Sequence, residues 1–99
     1  MRRAAKVDAN HKQIVTALRR CGCSVQDLSA VGEGCPDLLV GVGGRNLLLE
    51  VKDGEKRASE RKLTPHQVEW HGKWKGQKCI VTSVDEALAV VGLITGKEA

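Results

Sequence analysis

The chain is poor in aromatic residues: of its 99 residues two are Trp, and there is no Tyr and no Phe. Proteins that grip single-stranded nucleic acid stack bases on aromatic side chains, so recognition by stacking is not expected. No apolar run approaches the ~20 residues that span a bilayer, which excludes a membrane helix. The basic start, Met1 to Lys6, leads into no apolar stretch and does not read as a secretory signal. Internal repeats, low-complexity tracts and linkers are also missing, so residues 1–99 read as one domain. The four cysteines, Cys21, Cys23, Cys35 and Cys79, lack the spacing of a zinc site. In an intracellular, cytoplasmic protein they are expected to be reduced thiols, buried or half-buried.

What is present is a moderate excess of positive charge, +4 in all. It is uneven. Arg2, Arg3, Lys6, Lys12, Arg19 and Arg20 face Asp8 alone in the first twenty residues, and Lys56, Arg57, Arg61 and Lys62 form a second cluster. A polyanionic partner fits such a pattern.

Periodicity predicts the order αβββαβα. Ile14, Ala17, Leu18 and Cys21 form one apolar face of a helix from Asp8 to Cys21, ended by Gly22. A short strand, Val25 to Leu28, precedes a Gly- and Pro-rich loop, Val31 to Pro36. Asp37 to Val42 and Asn46 to Lys52 read as strands around a Gly43-Gly44 hairpin turn. Asp53 to Lys62 is charged and loop-like. Thr64-Pro65-His66-Gln67 opens a helix with a capping box, Pro at the first position and a Leu63–Val68 staple. That helix carries Trp70 and Trp74, expected in the core, and ends near Gly76. Cys79 to Thr82 is a strand, and Ser83 to Glu86 a second capping box opening a helix that ends near Gly92. His66 and His71 are expected at the surface. The fold class is α/β, with a mixed sheet of about four strands flanked by helices.

The hairpin gathers chemistry. With Gly43-Gly44 as the turn, Val42 faces Arg45, and counting back along both strands sets Asp37 opposite Glu50. Opposed residues share a face, with Cβ atoms roughly 4.5–5.5 Å apart. Lys52, two residues beyond Glu50, joins that face. Two close carboxylates repel unless a cation lies between them. Mg²⁺ takes oxygen ligands, polarises phosphoryl oxygens and acidifies water, while a lysine steadies developing negative charge. Together these are the parts needed to hydrolyse a phosphodiester. The bland alternative is a cross-strand ion pair on a wet sheet. Against it, Leu38, Leu39, Val40, Leu47, Leu48, Leu49 and Val51 make the strands apolar on both faces, which predicts burial.

Pro36-Asp37 followed by Glu50-Val51-Lys52 reads as P-D…E-x-K. Gly32 to Val40 resembles the G-x-G-x-P-D-L opening of the VRR-NUC family, a branch of the PD-(D/E)XK nucleases. Leu48 to Lys52 is similar to its second block, and Leu63 to Trp70, with Gln67 on the helix, to its third. The resemblance covers roughly Asp8 to Val91. It implies a restriction-endonuclease-like core and DNA cleavage with Mg²⁺ or Mn²⁺ in a bacterial or virus-infected bacterial cell. It further implies Asp37, Glu50 and the Val51 carbonyl as metal ligands, Lys52 as the catalytic lysine and Gln67 in the site. Many relatives carry a metal-reaching Glu on the first helix. Here His11 occupies about that position, with Asn10 beside it, which leaves open whether one or two metal ions bind.

The function expected is therefore a metal-dependent, structure-specific DNA endonuclease that resolves four-way junctions as a homodimer. Lys56, Arg57, Arg61 and Lys62 would contact DNA phosphates. The alternatives are flap, nick or duplex cleavage by the same site, or a catalytically inactive DNA-binding module. Gln67 serves both its capping box and the site only if its side chain does not fold back on Thr64.

Overall fold

The turn Gly43-Gly44 fixes the register of everything around it. Both glycines lie at positive φ (57° and 78°), as a two-residue hairpin turn requires. In the computed structural model, which describes residues 7–95, the turn joins β2 (Leu38–Val42) to β3 (Arg45–Val51). Leu38 pairs with Leu49 and Val40 with Leu47, the predicted register. β1 (Ser24–Asp27) adds antiparallel to β2, and β4 (Lys78–Val81) adds parallel to β3, giving a mixed sheet in the order β1-β2-β3-β4.

The helices are α1 (His11–Arg20), α2 (Pro65–Lys73) and α3 (Val84–Thr95), with one 3₁₀ turn, Ala58–Glu60, inside the charged loop. The element order αβββαβα is thus the predicted one. α1 and α3 pack together across one sheet face. Ile14 and Leu18 of α1, Ala87 and Val91 of α3, and Leu38, Val40, Leu47, Leu49, Val51 and Val81 of the sheet form the core between them.

The other face is less covered than the strands' apolarity predicts. Leu39 is 36% exposed and Ile80 42% exposed, although Leu48 between them is buried. α2 reaches this face only at one side, so Trp70 and Trp74 stay outside the core. Their rings stack on each other, 4.7 Å apart and 18° from parallel, and Trp74 remains exposed.

The helix starts hold with two changes. Thr64 and Gln67 form the full capping box. Val68, however, is exposed and staples little. At α3, Ser83 Oγ accepts from Glu86 N–H, but the Glu86 carboxylate reaches past Ser83 to the N–H and hydroxyl of Thr82. Cys21 is also exposed, because α1 ends before it and turns it outward. The predicted basic start, Met1 to Lys6, lies outside the described residues. Among those described, no helix is long and apolar enough to cross a membrane.

Candidate active site

The hairpin register places the predicted constellation on the open face. Glu50 pairs with Ile80 and lies between Leu48 and Lys52 on the side away from the core. Asp37 directly precedes β2, where its carbonyl accepts from Leu28 N–H at 2.7 Å. Its carboxylate Oδ2 accepts from Val51 N–H at 2.8 Å, which ties the start of β2 to the end of β3. The structure therefore brings Asp37, Glu50 and Lys52 together.

Glu50 is 2% exposed, and its carboxyl is pushed up to about 8. Burial is the largest cause. The negative charge of the neighbouring Asp37 follows, and Lys52 opposes both. Lys52 Nζ lies 3.9 Å from Glu50 Oε2, with its side chain 12% exposed. Glu50 Oε1 is buried without a hydrogen-bond partner among the described residues. Glu50, a buried carboxyl with an orphaned oxygen and a raised pKa beside the Asp37 carboxylate, is short of positive charge. Hard oxygen donors of this kind fit Mg²⁺ or Mn²⁺ with water completing the shell. No third His, Cys, Asp or Glu joins them in a cluster arranged to hold a metal, among the described residues.

Gln67 does two things at once. Its Oε1 accepts from Thr64 N–H at 2.9 Å, closing the capping box, and from Lys52 Nζ at 2.9 Å. Its Nε2 donates to Glu50 Oε2 at 3.0 Å. Folding back on Thr64 does not withdraw the amide from the site, because one carbonyl oxygen has two lone pairs. The expected conflict between the two roles does not arise.

The first helix contributes differently from expectation. Asn10 Nδ2 donates to the carbonyls of Lys52 (3.1 Å) and Thr82 (3.0 Å), which anchors the helix start to the ends of β3 and β4. The His11 ring is buried on the core side and faces Asp27 at 3.9 Å, not the carboxylate pair. Asp8, by contrast, adds to the upward push on Glu50. A search of the first helix for Glu alone overlooks it, and the available signal is that Asp8 is the sole acid in a basic stretch.

His71 is a second residue that sequence reasoning missed. It is not at the surface: its side chain is 10% exposed and its Nε2 lies 4.0 Å from Glu50 Oε1. Burial, then the charges of Lys78 and Lys52, hold its pKa below the usual imidazole value. The available signal is its spacing one helical turn beyond Gln67.

The basic loop starts directly after Lys52 and ends just before α2, so both its ends are anchored at the site. Lys56 Nζ sits 3.5 Å from Asp8, and Arg57 Nε sits 3.1 Å from Glu60. Arg61 is half-buried, its Nε without a hydrogen-bond partner among the described residues, and Lys62 is exposed.

No family model matches the sequence, and no curated protein matches it. A solved structure described as a VRR_NUC domain is similar in fold, with a TM-score of 0.62 and 23% identity, covering 85% of this chain and 96% of that one. The mixed four-stranded sheet flanked by helices is thus similar in fold to a VRR_NUC domain, the fold that the three sequence blocks imply.

Proposed function

We propose that this chain is a metal-dependent endonuclease of the VRR-NUC type, hydrolysing DNA phosphodiester bonds. The observation that carries the reading is the convergence of Asp37, Glu50, Lys52 and Gln67 on one sheet face, with Gln67 hydrogen-bonded to both Lys52 and Glu50. The fold likeness supports it.

Asp37, Glu50 and the Val51 carbonyl would hold Mg²⁺ or Mn²⁺, which polarises a phosphoryl oxygen and acidifies water. Water attacks phosphorus, the bridging P–O bond breaks, and the strand ends as one phosphate and one hydroxyl. Lys52 orients the attacking water and stabilises charge on the phosphoryl oxygens. Gln67 aims Lys52 by accepting from its ammonium. Lys56, Arg57, Arg61 and Lys62 contact phosphates flanking the scissile bond.

Branched DNA is the proposed substrate, cut by a homodimer. The open sheet face supports the dimer. Leu39, Leu48, Trp70 and Trp74 line a concavity of about 520 Å³ there, and a small domain gains by covering it. A two-fold dimer presents two sites to two strands. Cleavage of a four-way junction, a flap and a linear duplex, with Mn²⁺ and with EDTA, tests the reading. Paired metal-dependent nicks in the junction are expected. Cutting confined to the flap or duplex would reassign the substrate, and binding without cutting any of them would leave a DNA-binding module.

A further inference from the structure

Glu50 is held by only one of its two oxygens. Gln67 Nε2 donates to Oε2 at 3.0 Å, whereas Oε1 is buried and unpartnered among the described residues. Across from Oε1, at 4.0 Å, stands His71 Nε2, itself buried and without a hydrogen-bond partner among the described residues. The gap is too long for a hydrogen bond. Two orphaned polar atoms this close and this deeply buried are partners awaiting a small closure. His71 lies one turn beyond Gln67 on the same face of α2, and its ring meets that of Trp70 edge to face, with centroids 5.7 Å apart.

We propose that His71 is a positioning residue for the divalent-cation site, donating Nε2–H to Glu50 Oε1 so that α2 grips both oxygens of that carboxylate. This rests on the nuclease reading above. A carboxylate that ligates a cation is ionised and can only accept, so the ring nitrogen facing it carries the proton. Each carboxylate oxygen has two lone pairs, so accepting from His71 leaves one for the cation. Partners that clamp a ligand from behind fix its orientation and strengthen its bond to the metal.

The test is calorimetric titration of the full chain with Mn²⁺ alone, without DNA. His71→Leu is expected to weaken Mn²⁺ binding by about 10- to 100-fold, the usual cost of losing such a supporting hydrogen bond. His71→Gln, whose amide nitrogen reaches the place of Nε2, is expected to recover most of the loss. Circular dichroism confirms folding of each variant. Should the Leu variant not fold, His71→Asn, polar but too short, replaces it with the same expected loss. Affinity equal to wild type in His71→Leu or His71→Asn overturns the proposal. So does a Gln variant that binds no better than Leu. A wild-type chain that binds no Mn²⁺ overturns the nuclease reading itself.

Discussion

The side-chain amide of Gln67 donates to Glu50 Oε2 at 3.0 Å while its carbonyl caps its own helix at Thr64. One residue thus links helix start and buried carboxylate, and stability and chemistry can be separated by mutation.

Thr64→Ala removes the cap alone. It is expected to cost about 1 kcal/mol of stability with the cleavage rate of the folded protein little changed. Gln67→Ala is expected to match that stability loss and also to lower the rate. Urea melts alongside single-turnover cleavage make the comparison, and an equal effect of both variants on rate would remove Gln67 from the site.

Glu50 predicts a pH dependence for the metal-free protein. Its carboxyl titrates near 8 in the folded chain, against 4.5 for an exposed glutamate. Between these pH values the unfolded chain has lost a proton that the folded chain keeps. The native contribution is fully present below 4.5 and is lost as pH rises through about 8. Melting temperature without metal should therefore fall over this window, and Glu50→Gln should flatten the fall. Metal competes with the same proton, so Mn²⁺ affinity should rise with pH there. A metal-free melting temperature no lower at pH 8 than at pH 5 would contradict the assignment.

Gly34 is held where a side chain has no room. Its φ is +86°, and an added Cβ would meet the His66 carbonyl oxygen at 2.2 Å, at the start of α2. Gly44 shares the positive φ, at +78°, with open space around it. Gly44→Ala is expected to cost about 1–2 kcal/mol from backbone conformation alone. Gly34→Ala should cost more, because α2 must shift, and Gln67 with it. Chemical denaturation of both variants checks the order.

The basic loop predicts a salt dependence. Replacing Lys56 and Arg57 by Ala should weaken binding to DNA of any sequence, and it should flatten the salt slope by about 0.9 for each phosphate the loop no longer neutralises. Both side chains pair with acids in the DNA-free protein, Asp8 and Glu60, so DNA must compete with those partners and the gain in affinity per side chain is reduced. An unchanged slope would exclude the loop from the interface.

Much of the fold and the site is legible in the residues. Gly43-Gly44 fixes the hairpin parity, and parity alone sets Asp37 across from Glu50. Thr64-Pro65-His66-Gln67 marks a helix start whose box the structure contains. What stays hidden depends on how elements pack in three dimensions. Apolar runs on β2 and β3, which predict cover on both faces, cannot tell that α1 and α3 cover only one, which leaves Leu39 and Ile80 in the open. Nor can spacing tell that His11 turns to Asp27 on the core side while His71 turns to Glu50. Both are set by where a helix lies on the sheet, which local periodicity does not encode.

If the cluster around Lys52 cleaves a phosphodiester with a divalent cation, the single-turnover rate on a four-way junction with Mn²⁺ reads it most directly, for wild type and for Lys52→Ala, with EDTA controls. The wild type is expected to cleave and EDTA to abolish the cutting. The variant is expected to lose about 100- to 1,000-fold in rate, the scale for removing one charge-stabilising group. Wild-type rates in Lys52→Ala, or cleavage that survives EDTA, would place the chemistry elsewhere.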